Sequence, residues 1–121
     1  MDTITQEVTM NIQIFGTSKC FDTKKAERYF KERKIKYQYI DLSMKTLSKR
    51  ELESVKSCVG LKALINEKSK DYEKSNLKHI INDSVKEEIL LNNAKLYNTP
   101  IVRNGKQATV GYQPEVWKGW E

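Results

Sequence analysis

A single cysteine, Cys20, stands in "FGTSKCFDTKKAERYF", residues 15–30, between a strand-like run and a helix-like run. A redox pair spaced C-x-x-C would put a second cysteine at position 23, where this chain has Thr23. A cysteine at the mouth of a helix meets the first unpaired amide N–H groups and the positive end of the helix dipole, and both favour thiolate over thiol. Thiols in such places fall from about 8.5 to between roughly 3.5 and 7.5. Lys19 and Lys24 add positive potential. Asp22 opposes it unless it caps the helix and turns its carboxylate to the amides. The Thr23 hydroxyl can donate to the sulfur. These residues point to a nucleophilic thiolate in place of a dithiol switch. Turn packing is the plain alternative for a lone cysteine.

Other residues read more simply. Cys58, beside Val55 and Val59, is expected as a small buried hydrophobe, with a resolving thiol as the alternative. His79 is the sole histidine and is expected at the surface or in a cap. Trp117 and Trp120 are expected to pack at the core and its edge. No Cys/His cluster has zinc spacing, and no phosphate or dinucleotide glycine motif occurs.

The elements that must hold Cys20 follow from periodicity. Ile12 and Ile14 alternate with polar residues in "NIQIFG", a short strand. Residues 22–34 form a helix with Ala26, Tyr29, Phe30 and the Arg33 stem inward, and Lys24, Lys25, Glu27 and Lys31 outward. "IKYQYIDL" is a second strand, completing a parallel βαβ unit. Ser48 and Glu51 form a capping box for a helix stopped by Gly60, with Leu52, Val55 and Val59 as its stripe. A short helix near residues 61–65 leads into a lysine-rich loop. "NLKHIIND" and "SVKEEILLNNAKLY" read as two helices, the second boxed by Ser84 and Glu87, with Ile89, Leu90, Ala94 and Leu96 as core. Asn104-Gly105 marks a β-hairpin. Pro114 opens a final short helix.

This order predicts an α/β protein: a mixed β-sheet flanked by helices, thioredoxin-like, with an all-helical insert before the C-terminal β-hairpin. Such a fold places a cis proline before the hairpin, packed on the active cysteine, which assigns that role to Thr99-Pro100. The length, 121 residues, suits one domain, here 11–121 after a polar lead-in at 1–10.

Hydrophobic residues make up 38% of the chain and charged residues 31%, a soluble globular balance. Eighteen of the 22 basic residues are lysine, and the net charge is +6. No recognition motif accompanies that charge, so nucleic-acid binding is not expected. "KERKIK" reads as a solvated helix end or a basic rim that attracts anionic thiols. No run reaches the roughly 18 apolar residues of a membrane span. Residues 1–10 lack the apolar stretch of a secretory leader, so a cytoplasmic monomer with reduced thiols is expected.

Two segments together resemble the arsenate reductase (ArsC)/Spx family of thioredoxin-like proteins. "IFGTSKCFDTKKAERYFKERKIKYQYIDL" is similar to the family's opening of strand, cysteine, basic helix and "YxxxDxxxxxxxxxEL". "TPIVRNGKQATVGYQPEVW" is similar to its close, "RPIIxxxxxxxVGYxxxxx". The resemblance spans about residues 11–120. It implies that Cys20 is the nucleophile, with glutathione, glutaredoxin or thioredoxin as external reductant and no bound cofactor. In the arsenate reductases three arginines hold the oxyanion. The matching positions here carry Thr99, Asn66 or Lys68, and Gly111-Tyr112. Thr23, Thr99 and Pro100 are therefore the expected substrate contacts, with Lys68 and Arg103 as further anion contacts. The Spx branch implies a different role, transcriptional regulation through the α subunit of RNA polymerase, usually with the C-x-x-C pair that Thr23 interrupts. The favoured expectation is a thiol-dependent oxidoreductase with one working cysteine, acting on a disulfide or an oxyanion.

Overall fold

The computed structural model describes residues 11–120. The proposed lead-in at 1–10 lies outside the described residues. Four strands form one mixed sheet: β1 (Ile12–Gly16), β2 (Tyr37–Asp41), β3 (Ile101–Asn104) and β4 (Gln107–Val110). Their order is β2-β1-β3-β4. β1 runs parallel to β2 and antiparallel to β3, and β3 pairs antiparallel with β4. Among the described residues six helices surround the sheet: α1 (Phe21–Glu32), α2 (Lys49–Val59), α3 (Leu61–Leu64), α4 (Lys70–Ser75), α5 (Asp83–Leu91) and α6 (Pro114–Lys118). The architecture is the expected thioredoxin-like one, with α2 to α5 lying between β2 and the hairpin.

Alternation along β1 and β3 divides the core in two. Ile12, Ile14 and Val102 face α1 and α6, packing with Ala26, Tyr29, Phe30 and Trp117. Phe15 and Ile101 face the helical insert, packing with Leu52, Val55, Leu64, Leu77, Leu90 and Leu96. Trp117 is fully buried and donates from Nε1 to Thr109 Oγ1 at 2.8 Å, so its polar atom is satisfied inside the apolar layer. Trp120 packs at the edge of the same cluster.

The βαβ unit and hairpin form where expected, with local shifts. α1 ends at Glu32, two residues short of the expected end at Lys34. Lys34 takes φ 59°, its N–H bonds Lys31 O and the Ile35 N–H bonds Phe30 O, the two-bond closure of a Schellman motif. The hairpin loop is Gly105-Lys106, one residue later than Asn104-Gly105. Only Gly105 has positive φ there, as a type II′ turn requires. Asn104 remains in the strand, and its side chain accepts from the Asn11 amide at 3.1 Å.

The insert departs further from expectation. The lysine-rich loop contains α4, capped by Ser69, whose hydroxyl accepts from the Tyr72 amide. "NLKHIIND" forms only a 3-10 turn, Leu77–His79, after Asn76 breaks the chain with φ 63°. The second predicted helix splits into α5 and a 3-10 turn, Ala94–Leu96. Ser84 and Glu87 are not a capping box. Asn82 caps α5 by accepting from the Ser84 and Val85 amides, which makes Ser84 an interior residue, and Glu87 pairs with Lys56 at 2.7 Å. The Ser48–Glu51 box on α2 forms as expected, and Gly60 ends that helix at φ 85°.

Candidate active site

Cys20 is the N-cap of α1. The turn before it is closed by its own amide donating to Thr17 O at 3.1 Å. Its extended backbone, φ −82° and ψ 117°, swings the side chain across the mouth of the helix. Asp22 is thus not the cap but lies inside the first turn, where the dipole still favours a carboxylate. The thiol is half-buried and donates to Thr99 O at 3.5 Å, 79 residues away. Thr99-Pro100 is cis, and the Pro100 carbonyl accepts from the Gly111 amide at 2.8 Å. The chain's two similarity segments therefore meet at one sulfur.

Burial disfavours a thiolate here, but the Thr23 hydroxyl, the Thr99 hydroxyl and the amides of Thr23 and Asp22 together outweigh it. The net effect holds Cys20 below the ordinary thiol value. Thr23 is completely buried, and its Oγ1 has no protein partner at ordinary hydrogen-bond geometry. In the neutral state the sulfur spends its hydrogen on Thr99 O and leaves that hydroxyl unmet. Ionisation supplies the missing acceptor. The cysteine side chain itself makes no cap bond to the helix amides.

Gly16, the last residue of β1, is part of this arrangement. A Cβ at Gly16 would overlap the Thr23 side chain, so the bare backbone at the end of β1 is what lets Thr23 sit against the sheet. Nothing in the local pattern signals this, because the partner is seven residues away on a different element.

At the start of α1 lie side chains that the periodicity did not single out. Phe21 is 71% exposed beside Cys20. The Lys25 ammonium lies 5.0 Å from the Phe21 ring and 5.5 Å from the Tyr112 ring. Tyr112 stacks edge-on against Trp117. A groove of about 320 Å³ runs on from there along α1, lined by Lys25, Arg28, Tyr112 and Pro114 among others.

The remaining candidates have other partners. Lys68 is exposed in the loop before α4, its amide bonded to Asn66 Oδ1. That loop is tied to the segment before Thr99: Asn98 donates its amide nitrogen to Ala63 O and Ile65 O, and the Asn66 amide donates to Leu96 O. Arg103 pairs across the sheet with Gln13, three residues before Gly16, and bonds Gln13 Oε1 at 2.8 Å and Ser54 Oγ at 3.5 Å. It belongs to the face covered by the insert and does not join Thr23 and Thr99. Cys58, expected in the core, is exposed and donates to Lys106 O at 2.9 Å. The buried stripe of α2 is Leu52 and Val55, and position 58 falls outside it, over the hairpin turn. His79 is exposed. Among the described residues no group of His, Cys, Asp or Glu is placed to hold a metal ion, and no helix is long and apolar enough to cross a membrane.

Solved structures share this architecture. An arsenate reductase from Vibrio cholerae is 24% identical, with a TM-score of 0.80, 90% of this chain and 96% of that chain covered. An ArsC family related protein from Bacteroides fragilis is 22% identical at TM-score 0.79, covering 93% and 100%. An arsenate reductase (ArsC) related protein from Brucella melitensis is 19% identical at TM-score 0.67, covering 95% and 98%. At such identities the likeness establishes the fold. No curated protein matches the chain. The ArsC family model matches residues 15–120, from the end of β1 through α6. Cysteine loop, cis-proline loop and helical insert all lie within that match, and the chain belongs to the ArsC family.

Proposed function

We propose that this protein is a single-cysteine thiol oxidoreductase whose first substrate is a disulfide. The observation that carries the reading is the seat of Cys20, the N-cap of α1, whose thiol donates to the Thr99 carbonyl just before the cis Pro100. The Cys20 thiolate attacks one sulfur of a disulfide. A new S–S bond forms to Cys20, the old one breaks, and the departing sulfur leaves as a thiolate. An external thiol, glutathione or the dithiol of a thioredoxin-like protein, then attacks the mixed disulfide and returns Cys20 as thiolate. The step balances with that thiol as the reductant.

The choice of a disulfide over an oxyanion rests on the donors. Arginine forks bind oxyanions bidentately, and each charge-assisted bond contributes about 1.5–3 kcal/mol. The positions at the cis proline and after β4 hold Thr99 and Gly111-Tyr112. Arg103 is engaged with Gln13 and Ser54. Neutral hydroxyls and exposed aromatic rings suit a sulfur with an organic substituent better than a dianion.

The test is turnover of hydroxyethyl disulfide by glutathione. Activity lost in Cys20→Ser and kept in Cys58→Ser is the expected result. Arsenate-dependent thiol oxidation faster than disulfide turnover would reverse the choice of substrate. Equal activity in Cys20→Ser would remove Cys20 from the chemistry.

A further inference from the structure

Positive charge clusters on α1 and the segment that follows it. Residues 21–36 hold seven basic side chains, at 24, 25, 28, 31, 33, 34 and 36, against Asp22, Glu27 and Glu32, a net +4 out of +6 for the whole chain. All seven are exposed. Glu27 is occupied, accepting from the Tyr37 hydroxyl at 2.9 Å. Lys24, Arg28 and Lys31 repeat at four and three residues, so they stack along one face of α1, and Lys25 and Arg28 share the next.

Part of this pattern works against the helix: Lys24 and Arg28 are like charges four apart, although Glu27–Lys31 and Arg28–Glu32 are favourable pairs at the same spacing. Like charges four residues apart are destabilising, and cations in a first turn oppose the dipole. The charged face starts beside Cys20, where Phe21 and Tyr112 are exposed on either side of Lys25. A twelve-residue helix is about 18 Å long, more than a small thiol spans.

We infer that the exposed face of α1 and the segment after it, from Phe21 to Lys36, is a docking surface for an acidic polypeptide segment that carries the sulfur exchanging with Cys20. Acidic side chains of that segment meet Lys24, Lys25, Arg28 and Lys31. An apolar side chain next to its sulfur covers Phe21 and Tyr112. The charge complementarity raises the encounter rate and fixes which sulfur-bearing chains reach the thiolate. The inference rests on Cys20 being the nucleophile and adds the identity of what it meets.

Three synthetic peptides of equal length test it, each with one central cysteine linked by a disulfide to thionitrobenzoate and flanked by glutamate, serine or lysine. The Cys20 thiolate attacks the peptide sulfur, the Cys20–peptide S–S bond forms, and coloured thionitrobenzoate leaves as the thiolate with the lower proton affinity. The glutamate peptide is expected to react about tenfold or more faster than the lysine peptide at low salt, the difference shrinking as salt is raised. Lys24→Glu/Lys25→Glu/Arg28→Glu should abolish that preference; acidic side chains in the N-terminal half of α1 suit its dipole, so folding is retained. Lys62→Glu/Lys74→Glu/Lys78→Glu, with the same net charge, should keep it. Equal rates for the three peptides on a wild-type protein that does react would overturn the docking surface and leave the nucleophile standing. Loss of preference in both triple variants would assign the effect to overall charge and also overturn it. Stronger blockage of exchange by single-stranded DNA than by the reduced glutamate peptide would reassign the surface to nucleic acid. No release from the serine peptide would remove the nucleophile, and the docking inference with it.

Discussion

At the scale of single residues, the site is one sulfur and the hydroxyl beneath it. Thr23 Oγ1 is buried and unmet while Cys20 is a thiol, and it gains a partner when Cys20 ionises. Two opposite effects follow for Thr23→Val. The variant removes a buried unpaired hydroxyl, so stability at pH 5 should hold or rise slightly. It also removes a donor to the thiolate, so the midpoint of iodoacetamide alkylation against pH should move up. Thr23→Ser should restore the midpoint. A Thr23→Val midpoint equal to wild type would limit Thr23 to packing. The lowered Cys20 value also links to folding. The folded state holds the thiolate more tightly than the unfolded chain does, so the stabilisation is full above the ordinary thiol value of about 8.5 and is lost as pH falls through the folded value. The stability of wild type relative to Cys20→Ser, from denaturant melts, should therefore increase with pH across that window. Gly16→Ala acts on the same pair from below. Its methyl group must displace Thr23, which costs about 1–3 kcal/mol as overpacking and should raise the alkylation midpoint as well.

At the scale of elements, the helix mouth and the hairpin were legible because each is written in contiguous residues. Cys20 sits where a strand pattern gives way to a helical one, and Thr99-Pro100 directly precedes a strand. The insert was less legible because its helices are short and their caps compete. Ser84-x-x-Glu87 has the letters of a capping box, yet Asn82 stands two residues earlier, caps as well as serine, and leaves Glu87 to reach Lys56. Cys58 was misplaced for a related reason: beside Val55 and Val59 it reads as apolar, but its angle on α2 puts it over the Lys106 carbonyl. Melting separates the two caps. Asn82→Ala should cost about 0.5–2 kcal/mol, since it strands two amides, whereas Ser84→Ala should stay within roughly 0.5 kcal/mol. The reverse ranking would restore the box at Ser84. Gly16, Phe21 and Tyr112 were not legible at all, because their roles depend on contacts made only after the elements pack.

At the scale of the molecule, the site lies at one end of β1 and Arg103, a half-buried cation on β3, lies across from the other. Arg103 enters the sheet opposite Gln13, about 10 Å along the strand from Gly16 at 3.3 Å per residue. It holds Gln13 and Ser54, and its Nε is buried without a partner. A guanidinium so placed, with neutral partners only, contributes little net stability, because desolvation offsets its two hydrogen bonds. Its distance and the sheet between them also deny it contact with a substrate at Cys20. Arg103→Met keeps the length of the side chain, fills the same space and removes the charge. Stability should change by no more than about 1 kcal/mol, since two hydrogen bonds are exchanged for relief of the buried Nε. The pH midpoint of Cys20 alkylation and the rate of disulfide exchange should match wild type. A lowered exchange rate with an unchanged midpoint would place Arg103 in substrate binding and require β3 to shift towards the cysteine loop. A raised midpoint would mean that its charge reaches the thiolate through the sheet. Retention of both values would confine the chemistry to the Cys20 end of β1, with Thr23, Thr99 and the α1 face as the groups that select what arrives there.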